Sequence, residues 1–324
     1  MTCQIRIYSV YGLVIRTNAP LGDLLLPHVG PPDLEYIISS AETATTWGEA
    51  ERVCESIETD SAGNPKFVAW RHGSNIRLRF SEIATFDVTP VAILCHPFAG
   101  VSEETLTHCF LGDILSLWLE LHEIPALHAS SVVMNGKAVG FLSHSGNGKS
   151  TLAAGFVQDG YDLLTDDILA VQIIDDQVLA RPGYPRIRLW PNEAHRFFGE
   201  SEILKRVYPG IDKRWIPVGD GFGTFCRSPR PLVCLYVLAR DDSDPGDRGI
   251  RITPISSRDA VIELVRYSFG GFVIEGLGLA AKRMDLVARV VKQVPVRRIT
   301  FAPGTQFVSR VQHALWEDVK VLAD

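Results

Sequence analysis

The fold of this chain is indicated most clearly by the stretch Ala138-Val139-Gly140-Phe141-Leu142-Ser143-His144-Ser145-Gly146-Asn147-Gly148-Lys149-Ser150-Thr151. Its first five residues form an apolar run that predicts a strand, and residues 149–159 predict a helix that ends at Gly160. The glycine-rich loop between them ends in Lys-Ser-Thr, and this strand–loop–helix order is the one that a phosphate-binding loop requires. Gly146 and Gly148 accept positive φ angles, which lets successive backbone N–H groups point towards phosphate oxygens.

We therefore expect the loop and the start of its helix to bind a nucleoside triphosphate, through Ser145, Gly146, Asn147, Gly148, Lys149, Ser150 and Thr151. Lys149 would reach the β- and γ-phosphates, and the hydroxyl of Ser150 would bind Mg²⁺. Ser143 stands where the usual pattern has its first glycine, whereas the rest of the motif is intact. The alternative is a glycine-rich helix N-terminus that binds no ligand. His144 is expected to be a solvated loop residue, with a catalytic role as the alternative.

Two adjacent carboxylates, Asp166 and Asp167, follow the short strand Asp-Leu-Leu-Thr. In an α/β sheet the carboxyl end of a strand beside the phosphate loop faces the ligand crevice. Adjacent strand residues point to opposite faces, so one carboxylate could hold Mg²⁺ while the other meets a hydroxyl acceptor. The alternative is an Asp-Asp surface turn. His128, which precedes the strand around residues 131–135, is by itself better explained by a structural role than by a functional one.

The pattern of the chain changes near residue 103. Residues 4–17 and 66–95 alternate apolar and polar side chains in short runs, which predicts a β-rich domain over residues 1–102, a candidate for substrate recognition. Residues 103–122 carry a helical apolar stripe, and an α/β domain over residues 103–324 is predicted to follow. In this second part we expect strands at 230–240 and 295–302, helices at 257–269, 278–292 and 305–320, and an acidic loop at 241–249.

Composition excludes several classes of protein. The formal net charge of −6 argues against a nucleic-acid-binding protein that works by neutralising phosphates. No apolar run reaches the roughly 18 residues of a membrane span, and the first six residues lack the pattern of a signal peptide, so a cytoplasmic protein is expected. The six cysteines show neither disulfide-framework nor zinc-site spacing and are expected to be reduced thiols, at Cys3, Cys54, Cys95, Cys109, Cys226 and Cys234.

The stretch from His128 through the loop to Asp166-Asp167 resembles the kinase domain of the HPr kinase/phosphorylase family. His128 lies 21 residues before Lys149, and Asp166 lies 17 residues after it, which is similar to the family's spacing. The resemblance is strong over residues 124–172 and weak towards the C-terminus. It implies a P-loop domain of the HPr kinase C-terminal type, with ATP and Mg²⁺, that phosphorylates a serine hydroxyl on a small protein. It also implies that Asp166 is the general base, that Asp167 lies on the metal side, and that His128 tunes the base or the phosphates.

The segment Arg181-Pro182-Gly183-Tyr184-Pro185-Arg186-Ile187-Arg188-Leu189-Trp190-Pro191 departs from the bifunctional members of that family. Those enzymes carry a Glu-Val-Arg-Gly-like signature here, and its acidic residue is missing, which favours a kinase without the reverse activity. The segment looks like the related kinases of lasso-peptide clusters, which phosphorylate the C-terminal serine of a precursor peptide. Cations in and after this segment could bind a peptide carboxylate or the transferring phosphate, at Arg186, Arg188, Lys213 and Arg214. The alternative is a solvated basic stretch.

These expectations converge on an ATP-dependent serine kinase with a precursor peptide or small protein as its partner, without nucleic acid or membrane, and with a homo-oligomer allowed. One alternative is a kinase of the same chemistry that acts on another protein or on a small hydroxylated metabolite. A second alternative is a nucleotide-binding regulator that transfers nothing.

Overall fold

A computed structural model of the chain describes residues 4–39, 50–199, 204–219, 221–240, 249–302, 304 and 308–323. The chain divides into two compact units. The first comprises Met1–His122 with Gly270–Ala281, and the second comprises Glu123–Phe269 with Lys282–Asp324. The boundary expected at residues 102/103 therefore differs from the division by contacts, which places residues 103–122 in the first unit. The physical reason is a ring stack within that unit, since Phe110 lies on Tyr36 with 3.6 Å between centroids.

The first unit is built on one nine-stranded sheet, with the strand order β3-β1-β2-β4-β9-β8-β7-β6-β5. The strands β5 to β9 form an antiparallel meander, whereas β4 is parallel to both of its neighbours. Alternation of buried and exposed side chains, as in β2, gives the sheet one apolar face. The strands are β1 (Arg6–Val10), β2 (Leu13–Thr17), β3 (Leu26–Pro27), β4 (Leu34–Ile38), β5 (Glu51–Glu55), β6 (Phe67–His72), β7 (Asn75–Phe80), β8 (Ala84–Val88) and β9 (Ala92–Pro97).

The helical part of this unit follows the predicted apolar stripe. Ser102 caps the first helix by accepting a hydrogen bond from the backbone N–H of Thr105, and Glu103 and Glu104 lie in the first turn. Leu106, Phe110, Ile114 and Leu117 are buried as the stripe predicts. The elements are α1 (Glu103–Cys109), a π-helical segment (Phe110–Ile114), α2 (Leu115–Leu121) and α6 (Gly271–Gly276).

The second unit contains a nine-stranded sheet and a separate three-stranded sheet. The strands of the large sheet are β10 (Ala126–Met134), β11 (Lys137–Leu142), β12 (Asp162–Thr165), β13 (Ile168–Ile174), β14 (Gln177–Ala180), β18 (Thr224–Phe225), β19 (Arg230–Arg240), β20 (Arg251–Pro254) and β21 (Val296–Phe301). The small antiparallel sheet has the order β15-β17-β16, from β15 (Arg186–Leu189), β16 (Arg206–Tyr208) and β17 (Ile211–Pro217). The helices are α3 (Lys149–Gln158), α4 (Pro191–Phe198), α5 (Ser257–Arg266), α7 (Ala280–Gln293), which begins two residues before the unit boundary, and α8 (Val308–Ala323).

The pairing of the large sheet brings several strand ends to one edge. β11 pairs in parallel with β19, and β19 pairs in parallel with β21. β10 is antiparallel to both β11 and β12, so β12 runs in the same direction as β11. The carboxyl ends of β11, β12, β19 and β21 therefore lie on the side of the sheet where β10 begins. Open α/β sheets usually bind their ligands in a crevice outside the carboxyl ends of the strands.

Helix α3 is held against the sheet by an apolar core that also includes α8. Leu152, Phe156, Val311 and Leu315 are buried members of one cluster with residues of β10, β11 and β19. Gly155 allows the two helices to approach closely, because a Cβ there would lie 2.9 Å from Cγ1 of Val308. The start of α3, and with it the loop before it, is therefore fixed relative to the sheet edge.

Most elements expected from the pattern are present, including the strands at 230–240 and 296–301 and the helix that follows the loop. The Asn135-Gly136 turn between β10 and β11 has positive φ at both residues, as a two-residue hairpin turn requires. The acidic loop expected at 241–249 lies outside the described residues except for Gly249, and Cys3 also lies outside them. The other five cysteines are free thiols. None of the described helices is both long and apolar enough to cross a membrane.

Candidate active site

The loop after β11 has the backbone shape that a phosphate-binding loop needs. Gly146 and Gly148 have φ values of 85° and 94°, in the left-handed region, and Gly148 forms the N-cap of α3. The backbone N–H groups of the first turn of α3 therefore open towards the cavity that the loop lines. This cavity also receives side chains from β10, β15, β17, β19, β21, α4 and α8.

The side chain of Lys149 lies beneath the loop. It is 6% exposed, and its Nζ donates to the carbonyl oxygens of Ser143 at 2.7 Å and His144 at 3.3 Å. Burial lowers the pKa of Lys149 to about 8, against the opposing influence of the carboxylates of Asp166 and Asp167. The ammonium group is thus held by its own loop, within the field of two carboxylates.

Asp166 is buried and tied to the loop helix. It is 3% exposed, and its Oδ1 accepts hydrogen bonds from the hydroxyls of Ser150 at 2.9 Å and Ser130 at 2.5 Å. Its Oδ2 accepts from the backbone N–H of Arg188 at 2.9 Å. Three donors from three different elements fix this carboxylate beside the Ser150 hydroxyl.

Asp167 turns in another direction because its backbone φ is 77°. A left-handed conformation at a residue other than glycine is uncommon, although aspartate tolerates it better than most. The carboxylate lines the cavity, where its Oδ2 pairs with Nη1 of Arg188 at 2.7 Å and its Oδ1 lies 3.5 Å from Nδ1 of His128. Burial lowers the pKa of His128, more than Asp167 raises it, so the imidazole is neutral at neutral pH.

Arg188 is positioned by the small sheet. Its Nη2 donates to the hydroxyl of Tyr184 at 2.7 Å, and its guanidinium lies 4.9 Å from the ring centroid of Trp215, its cross-strand partner on β17. The side chain is buried between these groups and Asp167. A rigid fork of this kind fixes the orientation of the carboxylate that it binds.

Sequence comparison adds little to this geometry. No protein-family model matches the chain, and no curated protein matches its sequence. Among solved structures, the HPr(Ser) kinase/phosphatase from Coxiella burnetii matches with a TM-score of 0.37 and 14% sequence identity, over 61% of this chain and 99% of that one. A similarity at this level carries no conclusion about the activity of this chain.

The four cations expected to bind substrate do not all meet at the cavity. Arg188 and Lys213 line it, and the Lys213 ammonium lies 5.5 Å from the ring centroid of Trp190. Arg186 instead donates to the carbonyl of Pro185, and Arg214 donates to the carbonyl of Asp212; neither lines the cavity. Lys213 and Arg214 are adjacent on β17, so the pleat directs their side chains to opposite faces. Arg186 shares a face of β15 with Arg188, but its guanidinium bonds to the neighbouring carbonyl of Pro185, whereas that of Arg188 bonds to Asp167.

Two parts of the cavity were missed by the sequence analysis. Arg240, the last residue of β19, donates from Nη2 to the carbonyl of Gly146 at 3.0 Å. Phe301, Val308 and Val311 form an apolar wall beyond it. Both strands were predicted, but the sequence carries no signal that places their ends beside the loop.

The oxygen atoms around Ser150 suit Mg²⁺. This ion is commonly bound by one or two protein oxygens together with phosphate oxygens and water. The hydroxyl of Ser150 and the carboxylate of Asp166 provide such a pair, 2.9 Å apart at the start of α3. Among the described residues, no group of three or more His, Cys, Asp or Glu side chains could hold a metal ion without the help of a bound phosphate.

Proposed function

We propose that this chain is an ATP- and Mg²⁺-dependent phosphotransferase that moves the terminal phosphate to a hydroxyl group. The observation that carries the proposal is that two neighbouring carboxylates beside one phosphate loop have different partners. Asp166 is bonded to Ser150 of the loop helix, whereas Asp167 faces the same cavity beside His128. Protein kinases use a similar division between groups that bind the metal and a carboxylate that faces the acceptor hydroxyl.

The loop supports the triphosphate in this proposal. Backbone N–H groups of residues 148–151 bind phosphate oxygens, and Lys149 exchanges its two carbonyl partners for the β- and γ-phosphates. Mg²⁺, when bound, neutralises charge that develops on the phosphate oxygens, and Ser150 and Asp166 are the residues that would hold it.

The roles of the two carboxylates are the reverse of those that the resemblance implies. Asp166 is buried and occupied by three donors, one of them Ser150, which suits the metal side. Asp167 reaches the cavity, where an acceptor hydroxyl could donate to it. The hydroxyl oxygen forms a bond to the γ-phosphorus, the bond from that phosphorus to the β–γ bridging oxygen breaks, and the hydroxyl proton passes to Asp167.

Arg188 and His128 position Asp167. Its ion pair with Arg188 weakens Asp167 as a base, so its main contribution is to orient the acceptor. A loose transition state for phosphoryl transfer tolerates a weak base, because little proton transfer is needed before the phosphorus–oxygen bond breaks. A neutral His128 accepts or donates one hydrogen bond without adding charge.

For the acceptor we propose a serine hydroxyl in a ribosomally made peptide or small protein, with the C-terminal serine of a lasso-peptide precursor as the first choice. This choice follows the resemblance of the segment around residues 181–191. Lys213 supports it, because an ammonium group at the cavity rim could bind a terminal carboxylate. Trp190 beside it is 42% exposed and offers an apolar surface to a peptide.

The test is to incubate the protein with MgATP and a lasso-peptide precursor that ends in serine, and to measure the intact mass of the peptide. We expect a gain of about 80 Da, one phosphoryl group, which the same peptide with alanine in place of its last serine does not show. ADP formation with other hydroxyl compounds, but not with this peptide, would show that the proposed acceptor is wrong and that the proposed phosphoryl transfer is correct. Tight MgATP binding without ADP formation on any acceptor would favour a nucleotide-dependent regulator instead.

A further inference from the structure

The cavity continues past the phosphate loop on the side away from Asp167. In the sheet, β11 is followed by β19 and then by β21, whereas β10 and β12 lie on the other side of β11. Asp167 follows β12, and Phe301 ends β21. A strand spacing of about 4.8 Å therefore separates the Phe301 end of the cavity from the loop strand by roughly 10 Å.

The lining changes in character along this direction. The loop end is formed by backbone N–H groups and Lys149, whereas the far end is formed by the side chains of Phe301, Val308 and Val311. Val311 is buried, and Phe301 and Val308 are half-buried against the core of the unit. A ligand held by its anionic end at the loop would thus place an apolar or aromatic end against this wall.

Arg240 lies between the two ends. It pairs with Phe301 across the parallel strands β19 and β21, and its Nη2 bonds to the carbonyl of Gly146. The register places Leu142 opposite Val237, so Arg240 extends three residues beyond the end of β11 and lies alongside the loop. A guanidinium in this place can contact the first phosphate of a nucleotide or the edge of its base.

We infer that the wall of Phe301, Val308 and Val311 is the binding site for the base of the nucleoside triphosphate, with the ring of Phe301 as its main contact. The inference rests on the proposed function, since the position of the triphosphate on the loop sets where the base lies. Stacking of a base on an aromatic side chain stabilises binding, and it does so for any base because every base has a π-face. The ligand class at this end is a planar nucleobase.

The experiment compares two ligands that differ only in whether they carry a nucleoside. Dissociation constants for MgATP and for magnesium tripolyphosphate are measured by calorimetry on the wild type, Phe301→Ala and Phe301→Trp. We expect Phe301→Ala to weaken MgATP about tenfold, which corresponds to about 1.4 kcal/mol, and to leave tripolyphosphate unchanged. Phe301→Trp keeps an aromatic face and should bind MgATP within about threefold of the wild type.

Two controls separate the base site from the phosphate site and from folding. Phe272→Ala removes an exposed phenylalanine of α6 and should change neither dissociation constant. Lys149→Ala should weaken both ligands. Suppose that Lys149→Ala weakens the binding of both ligands. If Phe301→Ala then binds MgATP like the wild type, or weakens tripolyphosphate binding as much as MgATP binding, the proposed base site is wrong and the phosphate site stands. If Lys149→Ala binds both ligands normally, the proposed function itself fails.

Discussion

The backbone at Asp167 decides the chemistry that the two neighbouring carboxylates can do. A continued strand would place their side chains on opposite faces, but the positive φ at Asp167 turns its carboxylate into the cavity instead. Asp166 remains buried beside Ser150. An uncommon backbone conformation at a functional position is retained where the surroundings fix it, and here Arg188 binds the carboxylate directly.

Single amide substitutions distinguish the two roles. Asp167→Asn should lower the rate of ADP formation by at least about 10²-fold, because the acceptor hydroxyl loses the carboxylate that orients it, while the dissociation constant for MgATP stays near that of the wild type. Asp166→Asn should instead raise the Mg²⁺ concentration needed for half-maximal nucleotide binding. Calorimetric titrations at several Mg²⁺ concentrations and steady-state rates check both. The opposite pattern would restore Asp166 as the base.

The pH dependence of nucleotide binding follows from Lys149. Burial lowers its pKa to about 8, so in the free protein the ammonium is present below that pH and is lost as the pH rises through it. MgATP needs the charged form, so its affinity should be highest below pH 8 and should fall by up to about tenfold per pH unit above it. Calorimetry between pH 7 and about 9.5 measures this.

Lys149→Arg is the matched control for that pH series. Arginine keeps its charge over the whole range, so its binding curve should be flat even where its affinity is lower. A wild-type curve that is equally flat would show that the titration of Lys149 does not govern binding.

At the residue scale, the loop was readable from the sequence because its motif is local. Lys149 and Ser150 lie beside the glycines that define them. The different surroundings of Asp166 and Asp167 were not readable, because they depend on Arg188, 22 residues after Asp166, and on one backbone angle. The same limit applies to Arg186 and Arg214, whose directions depend on the pairing of β15 with β17.

Among the elements, strand β11 carries the loop and must fit closely between its neighbours. Gly140 lies at its centre, and a Cβ there would come within 2.6 Å of Leu235 Cδ2 and 2.9 Å of Leu169 Cδ2. Both leucines are fully buried, so they have little room to move. The glycine is therefore required by close approach and not by a turn.

Gly140→Ala should destabilise the protein by about 1–3 kcal/mol through overfilling of the core. Urea denaturation followed by fluorescence measures the loss. Gly112→Ala is the matched control, since Gly112 is also buried but a Cβ there meets nothing within 4 Å. In a helical segment the added methyl group should leave stability unchanged or raise it by up to about 1 kcal/mol. Equal losses in the two variants would contradict the close fit around β11.

The long apolar strand β19 and the short strand β12 were both predicted, whereas the three strands of the small sheet and α4 were missed. Helix α3 was predicted from the glycine-rich loop that precedes it, since both sides of this helix carry apolar residues. β15 alternates charged and apolar residues over only four positions, β16 has three residues, and β17 contains three consecutive charged residues, so none of them shows a strand period of useful length. α4 begins with Pro191 at its first position, and proline at this position is a helix start signal that can be seen in the sequence.

At the scale of the whole molecule, the site depends on strand order. The loop, the carboxylate pair, Arg240 and Phe301 come from segments spread over residues 143–301, and the pairing of β12, β10, β11, β19 and β21 brings them to one sheet edge. The sequence predicted most of these strands but carried no signal for their order. The β-rich character of the first unit was predicted as well, and its proposed part in substrate recognition stays a prediction.

Titration of MgATP into the wild type and into Lys149→Ala, by calorimetry at pH 7, tests the central claim most directly. The arrangement of loop, ammonium group and buried carboxylate predicts one binding site per chain and a loss of affinity of at least about tenfold in the variant, since a charge-assisted contact contributes about 1.5–3 kcal/mol. Circular dichroism confirms that the variant is folded. Equal MgATP affinity in the two proteins, or no binding to the wild type, would contradict the account.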